Sequence, residues 1–146
     1  MSLKYSDKDT EEKKWEHQSA DKEKVFLVDI DGTVCDDIPN EQPELFATAK
    51  PYPDAQHILQ EWKDAGHQIH FFTARREEHR EVTEEWLARH GFEYHSLVMN
   101  KPRIKDNQEY CWVDNKKVRA VTYLGKFSRL VEKEKKILVF DEPQSD

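Results

Sequence analysis

The segment VFLVDIDGT at residues 25–33 constrains this chain more than any other. An unbroken apolar run leads into two aspartates spaced two apart, followed by glycine and threonine. A run with no polar alternation suits a strand covered on both faces, the central position of a parallel sheet. Asp29 and Asp31 share a face for as long as strand geometry lasts, and Gly32 then turns the chain. Two carboxylates therefore stand at the carboxyl end of a strand, where open parallel sheets bind their ligands.

The rest of the chain supplies what such a sheet needs. Ala55, Ile58, Leu59, Trp62 and Ala65 recur at helical spacing over Asp54–Ala65, and Gly66 is the stop. Gln68–Thr73 (QIHFFT) reads as the next strand. Glu77–His90 reads as a second helix with Val82, Trp86 and Leu87 inward and Gly91 beyond it. Ser96–Met99 and Tyr110–Val113 read as a third and a fourth strand. Residues 33–53, with Pro39, Pro43, Pro51 and Pro53, read as loop. Towards the end, Lys117–Tyr123 reads as extended, Lys126–Glu134 fits either state, and Lys136–Phe140 is a short strand. Strand–helix alternation implies an α/β fold: a single open, mainly parallel, Rossmann-like sheet flanked by helices. Residues 1–24 are dense in lysine and acid, with only Leu3, Tyr5 and Trp15 as large apolar groups. Such a segment buries too little to offset its ordering entropy. The expectation is a mobile extension over 1–24, with a short helix around Thr10–His17, ahead of one domain over 25–146.

Composition narrows the function. The 146 residues suffice for one domain, not for an enzyme with a separate cofactor domain. The net charge of −7 lacks the basic footprint expected of a nucleic-acid or anionic-membrane surface. Cys35 and Cys111 make no disulfide framework and no zinc spacing. No apolar run approaches the ~20 residues of a membrane-spanning helix, and no signal-peptide core is visible. A cytoplasmic location is the expectation.

If the strands end as read, Asp29, Asp31, Thr73, Lys101 and Asp114 line one edge of the sheet. Asp29 and Asp114 would then lie close, and like charges placed together call for a cation. Hard oxygen ligands with retained waters suit Mg²⁺. The metal would neutralise a phosphate oxygen while a carboxylate attacks phosphorus in line. Lys101 and Thr73 would hold the remaining phosphoryl oxygens, with Lys105, Lys116 and Lys117 as rival lysines. Backbone N–H groups around Ile30 and Gly32 would add donors. Arg75, directly after the Thr73 strand end, is a candidate substrate contact, and Thr33 and Ala74 join it.

These residues carry a family resemblance. DIDGT resembles the first motif, DxDGT, of the haloacid dehalogenase (HAD) superfamily. HFFT is similar to its second motif, the lysine of NKPR to its third, and WVDN to its fourth, all in family order. The resemblance implies that Asp29 is a nucleophile forming an aspartyl-phosphate. Asp31 would protonate the leaving oxygen and then deprotonate the attacking water. It also implies Mg²⁺ held by Asp29, the carbonyl of Asp31, and Asp114. An acid at position 31 fits phosphatases or phosphomutases better than dehalogenases. Asn115 departs from the acid pair common in the fourth motif and puts metal affinity in question.

The implied protein is a Mg²⁺-dependent phosphatase of the small capless branch, acting on a small phosphorylated metabolite, with a sugar phosphate of heptose or capsular type first. FTARREEHREVTEEWL is also similar to polynucleotide 3′-phosphatase domains, which the acidic balance disfavours. From other classes, a receiver-type phospho-acceptor has the wrong strand order, and a phosphate-binding protein without turnover keeps the same motifs. Neither residues 33–53 nor the stretch between Thr73 and Lys101 has room for a cap. A small substrate would then need a neighbouring subunit to cover it, so a homo-oligomer with loop 33–53 near the interface is expected.

Overall fold

The computed structural model describes residues 2–4, 10–14, 23–119, 121–122, 131–135 and 139–141. Its strands are β1 (Ser2–Lys4), β2 (Thr10–Lys14), β3 (Val25–Val28), β4 (Gln68–Phe72), β5 (Ser96–Val98), β6 (Val121–Thr122), β7 (Val131–Lys135) and β8 (Val139–Asp141). Its α-helices are α1 (Ala55–Asp64) and α2 (Arg80–Arg89). Strands β3, β4 and β5 form a parallel sheet in that order, with Val28 opposite Phe71 and Phe72 opposite Val98. Helix α1 connects the first pair and α2 the second, so this is the open α/β sheet that the strand–helix alternation implies. Loop 33–53 contains only the 3-10 helix Pro43–Thr48, and Thr73–Lys101 only the 3-10 turn Glu77–His79 with α2 and β5, so neither holds a cap.

The two helices form where apolar spacing demands. Ala55, Leu59 and Trp62 are the buried stripe of α1, and Thr83, Trp86 and Leu87 that of α2. Both end in the same way. His67 donates its N–H to the carbonyl of Trp62 and Gly66 to that of Lys63; Phe92 donates to Leu87 and Gly91 to Ala88. This pairing requires a left-handed residue after the helix, where glycine carries no Cβ penalty. Gly66 and Gly91 adopt φ of 101° and 78°.

One face of the sheet carries the core. Val28, Ile69, Phe71 and Leu97 are buried there with Leu59, Trp62, Trp86 and Phe92. Phe26 stacks on Trp62 at 4.3 Å between ring centroids. Trp86 also donates its indole N–H to the carbonyl of Ala49 (2.9 Å), and Arg89 donates to that of Ala47 (2.8 Å), so α2 anchors the proline-rich loop.

Several expectations are corrected. β3 is not a central strand covered on both faces: among the described residues it is an edge strand, and Val25 and Leu27 are exposed. Val25 and Leu27 stand opposite Gln68 and His70, on the face away from the buried Ile69 and Phe71, and the expected fourth strand does not extend the sheet, since Tyr110–Val113 is not a strand. Tyr110, Trp112 and Val113 are all exposed. The described part of Thr10–His17 is the strand β2, not a helix, and it runs antiparallel to β7. Lys13 and Lys14 lie opposite Glu132 and Val131 in that register. The last expected strand, Lys136–Phe140, is found as Val139–Asp141, paired with β1, while 136–138 lies outside the described residues.

Leu87→Ala removes a fully buried side chain, and should lower the unfolding free energy by about 2–5 kcal/mol. Val113→Ser alters a 95% exposed residue and should change it by no more than about 0.5 kcal/mol. Urea denaturation of the two variants beside the parent checks both.

Candidate functional site

Parallel pairing brings the ends of β3, β4 and β5 to one edge, and backbone bonds continue beyond the strands. Thr73 donates its N–H to the carbonyl of Val98 (2.9 Å). Lys101 donates to the carbonyl of Thr73 and Asn100 to that of Arg75, both at 2.8 Å. Asn100 takes the left-handed conformation, φ 65°, and its side-chain oxygen accepts the N–H of Glu77 (3.1 Å). This turn aims the Lys101 ammonium back at the end of β3.

Asp29 receives it. Lys101 Nζ lies 3.1 Å from Asp29 Oδ1, and the Thr33 hydroxyl donates to Asp29 Oδ2 at 3.0 Å. The Asp29 side chain is 37% exposed and that of Lys101 15%. Phe72 and Tyr110 flank the ammonium, with ring centroids 5.7 and 5.2 Å from Nζ. Lys101, rather than Lys105, Lys116 or Lys117, is thus the lysine beside Asp29.

Asp31 sits deeper. Arg75 donates from Nε to Asp31 Oδ2 (2.9 Å) and from Nη2 to Oδ1 (2.8 Å), a two-pronged contact. Its third nitrogen, Nη1, donates to the Thr83 hydroxyl (3.0 Å), which donates in turn to the carbonyl of His79 (2.8 Å). The guanidinium carbon lies 3.9 Å from the centre of the Phe46 ring. Burial pushes the Asp31 carboxyl above its usual range, and Arg75 only partly offsets that rise.

Several expected contacts lie elsewhere. Arg75 is not poised to touch substrate, because its side chain is fully buried and its nitrogens face Asp31 and Thr83. The N–H of Gly32 is committed to the carbonyl of Cys35 and that of Thr33 to Ile30, both at 3.0 Å, closing the turn after β3. The Ile30 side chain belongs to the core. Thr73 is buried, and its hydroxyl accepts the N–H of Arg75 (3.2 Å). The carbonyl of Ala74 accepts from Asn40 (2.8 Å), which ties the loop to the end of β4.

Asp114 is exposed and its carboxylate turns to its own neighbourhood. It accepts from the Trp112 indole (3.1 Å) and from the N–H of Lys116 (2.9 Å), and these bonds hold its carboxyl below the usual range. Among the described residues no three His, Cys, Asp or Glu side chains converge as metal ligands. The expected set of Asp29, Asp31 and Asp114 is therefore not assembled in this arrangement. Arg75 takes both Asp31 carboxylate oxygens, but the atom the resemblance implies as a ligand there is the backbone carbonyl, so of the expected ligands it is Asp114 that is bonded elsewhere.

Sequence reasoning missed Thr83, Phe46, Asn40 and Asn100. Thr83 stands one turn before Trp86 and Leu87 on the inner stripe of α2, where a hydroxyl needs a partner. Nothing local marks the other three.

The parallel sheet with its acids beyond the strand ends defines a HAD-like α/β protein. Within that class the chain belongs to the family described as PITM 1-3, LNS2 domain, whose model matches residues 26–131. A Bacillus cereus protein provisionally named as a nucleotidase is 42% identical over 50 residues, 34% of this chain and 26% of that protein. The chain thus spans about a quarter of the length of this curated relative. A Vibrio cholerae crystal structure resembles it with TM-score 0.49 and 24% identity, over 65% of this chain and 82% of that one. A chain of the Pnkp1/Rnl/Hen1 RNA repair complex does so with TM-score 0.48 and 22% identity, over 74% and 31%. No helix among the described residues is long and apolar enough to cross a membrane.

Cys35 is fully buried beside the site, and burial, with Asp31 nearby, pushes its thiol up to about 12. Cys111 is exposed. Iodoacetamide at neutral pH should alkylate Cys111 in the native protein and reach Cys35 only after denaturation. Peptide mass mapping reads the outcome, and comparable native labelling of both would contradict the packing around Cys35.

Proposed function

We propose that the chain is a phosphomonoester hydrolase working through an aspartyl-phosphate on Asp29. The observation that carries this reading is Asp29 itself, part-exposed beyond β3 and held by Lys101 at 3.1 Å and Thr33 at 3.0 Å, with a fixed carboxyl two residues on. An Asp29 oxygen attacks phosphorus, the phosphorus–oxygen ester bond breaks, and Asp31 gives its proton to the leaving oxygen. Asp31 then takes a proton from the water that hydrolyses the acyl phosphate. Burial keeps the Asp31 carboxyl above the ordinary range, which favours its acid role. The Lys101 ammonium stabilises the negative charge on the phosphoryl oxygens. Thr73 in this reading supports the site through the backbone, since its hydroxyl is buried and accepts the N–H of Arg75.

The proposal keeps the Mg²⁺ requirement that the HAD resemblance implies. Asp29 is the part-exposed carboxylate that supports it, and no step above passes through the metal. Its substrate is a small phosphorylated metabolite, a sugar phosphate first. A second reading, a nucleoside monophosphate, is favoured by the name of the Bacillus cereus relative, 42% identical over 50 residues. With no cap in the described loops, a second subunit near loop 33–53 would complete the enclosure.

A phosphate-release screen over sugar phosphates, nucleotides and 3′-phosphorylated oligonucleotides, with Mg²⁺ and with EDTA, tests the reading. Turnover should need Mg²⁺, and Asp29→Asn should remove it while the fold persists. More than a tenth of parent turnover in that variant would sink the assignment. Lys101→Ala should lower kcat/KM by about 10²-fold or more, with far smaller losses for Lys105→Ala, Lys116→Ala and Lys117→Ala. A larger loss at Lys116 or Lys117 would move the phosphate-binding lysine.

A further inference from the structure

We propose that Arg75 is a positioning residue for Asp31, and that Thr83 and Phe46 hold Arg75 in register for that task. This rests on the phosphatase reading, because Asp31 has a catalytic role only there. Three observations carry it. The guanidinium meets both Asp31 oxygens, at 2.9 and 2.8 Å, a fork geometry that fixes the plane of the carboxylate and not only its place. The Arg75 side chain is completely buried while that of Asp31 keeps 13% exposure, so the arginine lies deeper than the acid, which retains an edge at the surface. The remaining nitrogen is occupied by Thr83 at 3.0 Å and the flat face by Phe46 at 3.9 Å, which leaves the guanidinium one seat.

The consequence is a route from α2 to the chemistry. Thr83 binds the carbonyl of His79 at the start of that helix, and the His79 ring packs edge-on against Phe46, centroids 5.4 Å apart. The same residues that begin α2 therefore set the angle of Arg75, and Arg75 sets the angle of Asp31. Proton transfer demands tight placement, and a displacement of about 1 Å can cost about 10²-fold in rate. A lysine at 75 keeps the charge but offers one ammonium, which cannot hold both oxygens in one plane. Each Asp31 oxygen has a second lone-pair site besides the one that Arg75 occupies, so the carboxyl can carry its proton there and donate it to the leaving oxygen while the two-pronged contact stays in place.

The test uses full-length protein and two probes, p-nitrophenyl phosphate and an alkyl phosphate, with a circular dichroism spectrum for every variant. The variants are Asp31→Asn, Arg75→Lys, Thr83→Val and the double variant Arg75→Lys/Asp31→Asn. Arg75→Lys should lower kcat by about 10²-fold with KM held, and more for the alkyl ester, whose leaving oxygen needs a proton, than for the aryl ester. Thr83→Val should show the same pattern more weakly. The double variant should be no slower than Asp31→Asn alone, because both changes act through one carboxyl. Full kcat in Arg75→Lys, equal losses on the two esters, a rise in KM with kcat intact, or a double variant slowed by the product of the single losses would each overturn the positioning role. Should Arg75→Lys not fold, Thr83→Val and its double with Asp31→Asn decide by the same criteria. If the parent lacks turnover, or Asp29→Asn retains it, the phosphatase reading fails and the positioning role with it. If Asp29→Asn is inactive and Arg75→Lys is normal, the positioning role alone fails.

Discussion

Parallel registration of β3, β4 and β5 is the constraint on which the rest depends. Parallel neighbours running in step send their chains out of the sheet at the same edge. Val28 opposite Phe71 and Phe72 opposite Val98 fix that step. The bonds from Lys101 to the Thr73 carbonyl and from Asn100 to the Arg75 carbonyl carry it past the ends of the strands. A lysine 72 residues away in sequence is thereby delivered to Asp29, and an arginine 44 residues away to Asp31.

The two carboxylates then diverge in character because their cations differ in burial. Asp29 and Lys101 are part-exposed, so water and substrate can compete for either charge. Asp31 and Arg75 are withdrawn, and there the desolvation of the acid outweighs the attraction of the guanidinium. The same withdrawal makes the arginine's geometry strict, since each of its nitrogens must find an acceptor inside the protein. One acid is left open to water and the other is held by a buried cation, a division that two equally solvated aspartates would not show and to which the proposed mechanism assigns covalent chemistry and proton transfer.

Legibility followed the range of the interactions involved. Both α-helices could be read because their signals are local: apolar spacing at Ala55, Leu59 and Trp62, and at Val82, Trp86 and Leu87, each closed by a glycine. Strand β4 was readable for the same reason. The fourth strand was not, because Tyr, Cys, Trp and Val favour a strand only where a neighbouring strand receives them, and Tyr110–Val113 has none. VFLV suggested cover on both faces, yet Val25 and Leu27 are exposed. An apolar side chain states a preference for cover and not its presence. The expectation around Thr10–His17 is a short helix, but Thr10–Lys14 pairs with Val131–Lys135, far along the chain, which no local pattern announces.

By itself the sequence determined the alternation of strand and helix, and with it the residues that stand beyond the ends of the first three strands. Periodicity and stop residues are written in neighbouring positions, so Asp29, Asp31, Thr73 and Lys101 could be assigned to one edge from order alone. Only the tertiary structure decided which cation serves which acid, and that Arg75 lies behind Asp31 rather than before a substrate. Those outcomes depend on where distant segments return and which side chain reaches water, and no local pattern encodes the solvent exposure of a charge.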